Sequence, residues 1–163
     1  MDCEEIVISQ IMQPHEANPI GNIHGGVIMN YIDNAAAVTA TRYAKGIAVT
    51  ASVDRLDFYH PVHIGNLLIL RACLNWVGNT SMEIGVRVEA ENLGTGVIRQ
   101  IASSYLTFVA LNDKGRPRPL PALHCLDGPM KRRFKEAEAR RKNRLLEKKM
   151  ERICQEDPDE CTL

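Results

Sequence analysis

The segment Asn18-Pro-Ile-Gly-Asn-Ile-His-Gly-Gly-Val-Ile-Met-Asn-Tyr-Ile-Asp33 carries the residues best able to do chemistry. Gly25 and Gly26 open a helical pattern, so the first backbone N–H groups of that helix point outward without intrahelical partners. With no side chain at either position, a ligand can approach the backbone closely. The helix dipole adds a partial positive charge at the same end. Together these features suit a negatively charged oxygen, such as the oxyanion formed when a carbonyl is attacked. Asp33 lies seven residues beyond Gly26, which is about two turns and roughly 10 Å along the axis, on a similar face. It is the only formal charge between residues 17 and 41. Burying a carboxylate without a partner is costly, so Asp33 should line a cleft or meet a polar group. Plainer roles exist for each residue. The glycines would let the helix pack closely, Asp33 would pair with Arg42 or Arg55 as a buried ion pair, and His24 would be a cap or a core hydrogen-bonding residue.

The elements that must hold these residues follow from the rest of the pattern. Glu5 to Met12 reads as a strand, and Pro14 to Asn22 reads as a loop. The helix runs from Gly25 to about Tyr43, with Arg42 and Lys45 in its last turn and Gly46 placed to cap it. A helix without a charged stripe is expected to be buried on most sides. The run Asn34 to Thr41 is small and smooth, which lets a sheet approach closely. Ile47 to Phe58, Leu67 to Val77, Ser81 to Glu91 and Val97 to Leu111 then read as four strands. In the second of these, Leu68, Leu70, Ala72, Leu74 and Trp76 share one face by alternation. Turns at Gly78-Asn79 and at Asn92 to Gly96 separate the later strands at hairpin distance. One strand, one buried helix and a four-strand antiparallel meander predict an α+β architecture, a curved antiparallel sheet wrapped around a central helix.

Composition changes after Arg116-Pro-Arg-Pro-Leu-Pro121. Residues 131 to 152 hold eleven basic and four acidic side chains and neither glycine nor proline. This reads as a solvated helical extension, and the acidic end, residues 155 to 163, as a frayed tail. The sequence thus divides into a domain over 1–127 and a charged helical extension over 128–163. The whole chain has 163 residues, 45% apolar and 25% charged, with 20 basic and 20 acidic side chains. That balance excludes a wholly disordered chain and disfavours a uniformly basic nucleic-acid binder. Five cysteines, at 3, 73, 125, 154 and 161, form no Cys-x-x-Cys pair and are odd in number. They read as free thiols in a reducing cytoplasm rather than a disulfide or zinc framework. The most apolar long stretch, residues 17 to 41, carries Pro19, His24, four asparagines and Asp33, so no membrane span is expected. His60 and His63 are three apart, but Pro61 prevents a regular helix and no further ligand cluster is near, so no metal site is expected.

Several blocks, taken in order, resemble the hotdog-fold acyl-CoA thioesterases. The likeness is to the bacterial acyl-CoA hydrolases of broad substrate range, relatives of the cytosolic long-chain acyl-CoA hydrolases of animals. The blocks are Asn18-Pro-Ile-Gly-Asn-Ile-His-Gly-Gly26 with Asp33, Ala44-Lys-Gly46, Val49-Thr-Ala-Ser-Val-Asp54, Phe58-Tyr-His-Pro-Val62, Val77-Gly-Asn-Thr-Ser-Met82 and Asp113-Lys-Gly-Arg-Pro-Arg-Pro-Leu-Pro121. They span roughly residues 5 to 123. The resemblance implies a hotdog fold, dimers with a continuous sheet, a hexamer made as a trimer of dimers, and an active site between protomers. Asp33 would be the general base acting on water, or the nucleophile. Asn18 would come from the facing protomer and orient the water or the thioester. The backbone N–H of Gly26, with that of Val27, would stabilise the oxyanion. Acyl-CoA would be the substrate and no further cofactor would be needed. The acyl chain would lie beside Met29 and the alanine face. The phosphates of CoA call for basic and hydroxyl side chains. Thr80 and Ser81 occupy the family's turn position for this, and Arg116 and Arg118 are the basic candidates. The chain departs from the pattern at Asn79, where relatives often carry a basic residue, and the basic extension lies outside the matched blocks. Two other readings attach to the same fold. One is a non-catalytic acyl-CoA sensor whose basic helix contacts nucleic acid or an acidic partner. The other is a dehydratase acting on hydroxyacyl thioesters, for which His24 sits before the glycines rather than opposite Asp33.

Overall fold

A computed structural model of the chain describes residues 5–123 and 128–156. It comprises two compact units, Met1–Cys125 and Leu126–Leu163. Residues 124–127, where the sequence places its division, and the tail from 157 lie outside the described residues, as do Cys3, Cys125 and Cys161. The first unit holds β1 (Ile6–Ile11), a 3-10 turn (Pro14–Glu16), α1 (Gly25–Ala44), β2 (Ala48–Val53), β3 (Asp57–Phe58), β4 (Leu67–Val77), β5 (Ser81–Asn92) and β6 (Val97–Ala110). The second holds the basic helix α2 (Gly128–Glu156). No helix among the described residues is long and apolar enough to cross a membrane.

The six strands form one antiparallel sheet in the order β1-β4-β5-β6-β2, with β3 also pairing β6. Its inner face packs on α1. Ile28, Ile32, Ala35, Ala36 and Ala40 of the helix meet Leu68, Leu70, Ala72, Met82, Ile84, Leu106 and Phe108 in one core. Ala35, Ala36 and Ala40 are fully buried, and their small side chains are what lets the sheet curve in so closely.

Three expectations need correction. First, Ile47 to Phe58 is not one strand. The extended chain breaks over residues 54–56, and both pieces pair with the fourteen-residue β6. Second, the meander holds only for β4-β5-β6. Alternation identifies a strand but not its neighbour, and β2 docks on the far side of β6 while β1 edges β4. Third, Trp76 does not share the face of Leu68 to Leu74. A bulge at Asn75 lets Leu74 pair Ile84 and Trp76 pair Glu83, which moves Trp76 to the outer face. There Glu83, 1% exposed, accepts a hydrogen bond from Asn75 Nδ2 at 3.1 Å. A Cβ on Gly85 would lie 2.5 Å from Asn75 Nδ2, and one on Gly78 would lie 2.3 Å from the Trp76 ring. Both glycines therefore make room for the residues that the bulge displaces.

The helix differs from expectation in a useful way. One face is buried, from Ile28 and Ile32 through Ala35, Ala36, Thr39 and Ala40 to Tyr43. The opposite stripe, with Met29, Asn30, Asn34 and Val38, is exposed and uncharged. Within one protomer, then, the helix is not buried on most sides.

Candidate active site

The start of α1 is set by His24, whose backbone is extended (φ −64, ψ 131) and whose Nδ1 accepts the N–H of Gly26 at 3.0 Å. The His24 N–H in turn donates to Glu16 O at 2.9 Å. Glu16 is a second anchor. Its Oε2 accepts the N–H of Gln13 at 2.7 Å and its Oε1 accepts the Tyr31 hydroxyl at 2.9 Å, which pins the turn before the helix onto the helix itself. The Tyr31 phenol is pushed up from its ordinary value by burial, and by the hydrogen bond and the charge of Glu16.

This arrangement changes the reading of Gly26. Its N–H is not free but taken up by His24, and the Val27 N–H donates to His24 O at 2.9 Å. An oxyanion reaching Gly26 must therefore replace the imidazole. A Cβ on Gly26 would lie only 3.2 Å from His24 Nδ1, so the glycine also keeps room for its own cap. Removing that cap in His24→Ala should cost about 1 kcal/mol of stability, and His24→Asn should recover most of it, read by chemical denaturation.

Asn18 sits in a tight loop. Its Oδ1 accepts the N–H groups of Ile20 (3.0 Å) and Asn22 (3.2 Å). The loop closes through Asn18 N–H to Asn22 O at 2.7 Å and turns at Gly21 with φ +89, which favours glycine. With the carbonyl oxygen held by the loop, the Nδ2 group is what Asn18 can offer a ligand, as a donor.

Asp33 is half-buried. Its Oδ1 accepts the Thr50 hydroxyl at 2.6 Å, and among the described residues its Oδ2 has no protein partner. Thr50 stands on β2 opposite Phe108, which turns it toward the helix. Neither Arg42 nor Arg55 pairs with Asp33. Arg55 is taken by Asp57 at 2.5 Å. Thr50 is a partner of Asp33 that side-chain types and spacing did not single out. It lies inside a matched block, but only the pairing of β2 with β6 aims it at the carboxylate.

Thr80, Ser81, Arg116 and Arg118 gather where β5 begins and β6 ends, one register step beyond the row that holds Thr50, Phe108 and Met82. Ala110 N–H donates to Thr80 O, Arg118 N–H to Ala110 O and Leu120 N–H to Asn79 O. The Arg118 guanidinium is occupied there. It donates to Leu111 O at 3.1 Å and also to Ala44 O, the end of α1. Gly46 serves this contact, since a Cβ there would lie 2.9 Å from Arg118 Nη2, while the residue that caps the helix is Lys45 with φ 49. Arg116 is exposed in the turn closed by Asn112. A helix rises 1.5 Å per residue, so Asp33 stands about 12 Å along the axis from Gly25 and about 17 Å from Ala44. No hydrogen bond joins Asn18 to Asp33. One protomer thus holds a carboxylate fixed by Thr50, a hydroxyl-bearing turn that starts one register step away, and an amide donor in the loop before α1. Among the described residues, no group of three or more His, Cys, Asp or Glu could hold a metal ion.

Against known proteins, residues 20–97 match the family model of the thioesterase superfamily. A Bacillus subtilis protein described as an uncharacterized acyl-CoA thioester hydrolase is 39% identical over 121 residues, 73% of this chain and 70% of its own. A hexameric acyl-CoA thioesterase of known structure is 36% identical with a TM-score of 0.84, over 88% of this chain and 92% of the other. The Staphylococcus aureus acyl-CoA hydrolase, solved with butyryl-CoA, CoA and CoA disulfide, is 34% identical with a TM-score of 0.79, over 89% of this chain and 90% of the other. Both structural matches span more than the 125 residues of the first unit, so the likeness runs beyond the sequence blocks. The Staphylococcus enzyme has also been solved with an Asn, an Asp or a Thr replaced by Ala. Those three residues are spaced fifteen and seventeen apart, as are Asn18, Asp33 and Thr50 here.

Proposed function

The chain belongs to the thioesterase superfamily, as a hotdog-fold acyl-CoA thioesterase, and on that premise we propose that it hydrolyses acyl-CoA to a free fatty acid and CoA at a site completed by a second copy of itself. The observation that carries this reading is the Asp33 carboxylate, set in an otherwise uncharged stretch of helix, with Oδ1 fixed by Thr50 and Oδ2 left for a ligand.

Asp33 Oδ2 takes a proton from a water, and the water oxygen attacks the thioester carbon. The carbonyl oxygen becomes an oxyanion, held by the N–H groups at the start of α1 and by an Nδ2–H donor from Asn18. The Gly26 N–H leaves His24 Nδ1 to join them. Collapse expels the CoA sulfur as thiolate, which receives the proton held by Asp33. The carboxylate is then ready for the next water. A thiolate is a good leaving group, so a base and an oxyanion site suffice, without a serine nucleophile and without a metal or organic cofactor.

The second copy answers two features of the single protomer. Asn18 and Asp33 do not meet within it. The uncharged stripe of α1 lies exposed, and β2, at the sheet edge, exposes Val49 and Val53. Covering both would bring Asn18 of one protomer to Asp33 of the other and extend the sheet across the pair. Three such pairs would make the hexamer described for the structural relative. A cytoplasmic setting, where thiols stay reduced, goes with this reading.

The test is release of thiol from acyl-CoA by the purified chain, across a series of acyl lengths. Turnover is expected for at least part of the series. A folded protein that releases no thiol from any of them would overturn the assignment.

A further inference from the structure

The chain between the 3-10 turn and α1 folds back on itself as a miniature hairpin. Asn18 N–H donates to Asn22 O at 2.7 Å, His24 N–H donates to Glu16 O at 2.9 Å, and Ala17 faces Ile23 between them. The first arm carries Asn18, and the second leads into the His24 that starts α1. The two arms are held differently. Ile23, in the second, is 4% exposed and its N–H donates to Val62 O at 2.8 Å, so that arm is anchored in the core and along its far side. The first arm is fastened by a side chain of the helix. The Tyr31 hydroxyl donates to Glu16 Oε1 at 2.9 Å, while Glu16 Oε2 accepts the Gln13 N–H at 2.7 Å. Glu16 stands two residues before Asn18 on the same short arm.

A donor that stabilises an oxyanion has to lie about 3 Å from it, so the position of the arm sets what the Asn18 amide contributes. Tyr31 suits the task of holding it. Its ring bridges helix and arm with only two side-chain torsions to fix. The half-buried phenol also stays a hydrogen donor, because burial, and then the bond and the charge of Glu16, push its ionisation up. Tyr31 is two residues from Asp33, which is about 200° round the helix, so it does not share the face of the carboxylate. Its influence on the chemistry runs through the arm.

We propose that Tyr31 and Glu16 are positioning residues that aim the Asn18 amide at the thioester. The proposal rests on the hydrolytic reading above. If Asn18 serves the site of the other protomer, Tyr31 tunes that site and not the one holding the Asp33 of its own helix.

Thiol release from acyl-CoA by four full-length proteins, the wild type, Tyr31→Phe, Asn18→Ala and the double variant, tests it. Tyr31→Phe is expected to lower kcat at least about tenfold, with KM near wild type and a melting temperature lowered by no more than about 5 °C. Added to Asn18→Ala, the same change should cost less than about twofold more, because the amide it aims is gone. Tyr43→Phe removes a hydroxyl bond, 2.8 Å to Pro121 O, from the far end of α1, and should keep kcat near wild type. Wild-type kcat in Tyr31→Phe beside a crippled Asn18→Ala would overturn the proposal and leave the hydrolytic reading standing, as would an undiminished further loss in the double variant. Full activity in Asn18→Ala would overturn both. Mixed dimers of Asn18→Ala and Asp33→Asn then locate the effect. Tyr31→Phe placed on the Asp33→Asn protomer, which supplies the amide, should cut the recovered activity about tenfold, and on the Asn18→Ala protomer it should leave it unchanged. The reverse pattern would tie Tyr31 to Asp33 and sink the proposal.

Discussion

Asp33→Asn is expected to lower kcat for acyl-CoA hydrolysis by about 10²–10⁴-fold, the contribution of a positioned general base. The amide keeps the shape of the carboxylate, and its oxygen can still accept the Thr50 hydroxyl that Oδ1 accepts at 2.6 Å. What it lacks is a basic oxygen to take a proton from water. The loss should therefore fall on kcat, with KM and the melting temperature near wild type. Thiol release measured under saturating substrate reads the first, and thermal unfolding reads the last. Near-wild-type kcat in this variant would remove Asp33 from the chemistry. The wild-type protein in isotopically labelled water separates two routes. If Asp33 itself attacks the thioester, a mixed anhydride forms and its hydrolysis can leave label in the Asp33 carboxylate during a single turnover. If Asp33 acts as the base, label enters only the fatty acid.

Mixing two inactive proteins should restore activity. Asn18→Ala removes the amide donor and Asp33→Asn removes the base. If each site draws Asn18 from one protomer and Asp33 from the other, a mixed dimer has one doubly altered site and one intact site. After unfolding and refolding together in equal amounts, half the dimers are mixed, and about a quarter of wild-type activity should return. Each variant refolded alone should stay inactive. This is a large signal over a low background, and it isolates the cross-protomer claim from the identity of the base. Failure to recover activity, with mixed dimers shown to be present by differential tagging, would place both residues in one subunit's site.

Much of the first unit could be read from local pattern. The helix was legible because Asp33 stands alone in a long uncharged stretch, and β5 because Met82, Ile84, Val86 and Val88 alternate with polar residues. What local pattern cannot supply is pairing. The neighbour of β2 is chosen by contacts between residues such as Ala48 and Ala110, far apart in the chain. Thr50 became visible as the partner of Asp33 only through that pairing. The bulge at Asn75 was likewise silent, because a single inserted residue leaves the alternation of apolar letters intact while reversing the face of Trp76. Arg118 has a structural task that its charge alone did not reveal. Its hydrogen bonds to Ala44 O and Leu111 O tie it to the end of the helix. Gly26 was placed correctly at the helix start, but the imidazole that occupies its N–H depends on a side-chain conformation of His24 that no spacing reveals.

The pairing of the two edge strands has a consequence for how the chain is made. β1 awaits β4, as in Ile6 with Ala72, and β2 awaits β6, as in Ala48 with Ala110. During synthesis α1 leaves the ribosome with its apolar side uncovered, and most of the strands that shelter it come later. Only the β4-β5-β6 hairpins are local enough to form quickly. The nascent polypeptide thus passes through an interval in which an oily rod and a lone strand are open to wrong company, and its yield in a cell will depend on the chaperones that cover that interval.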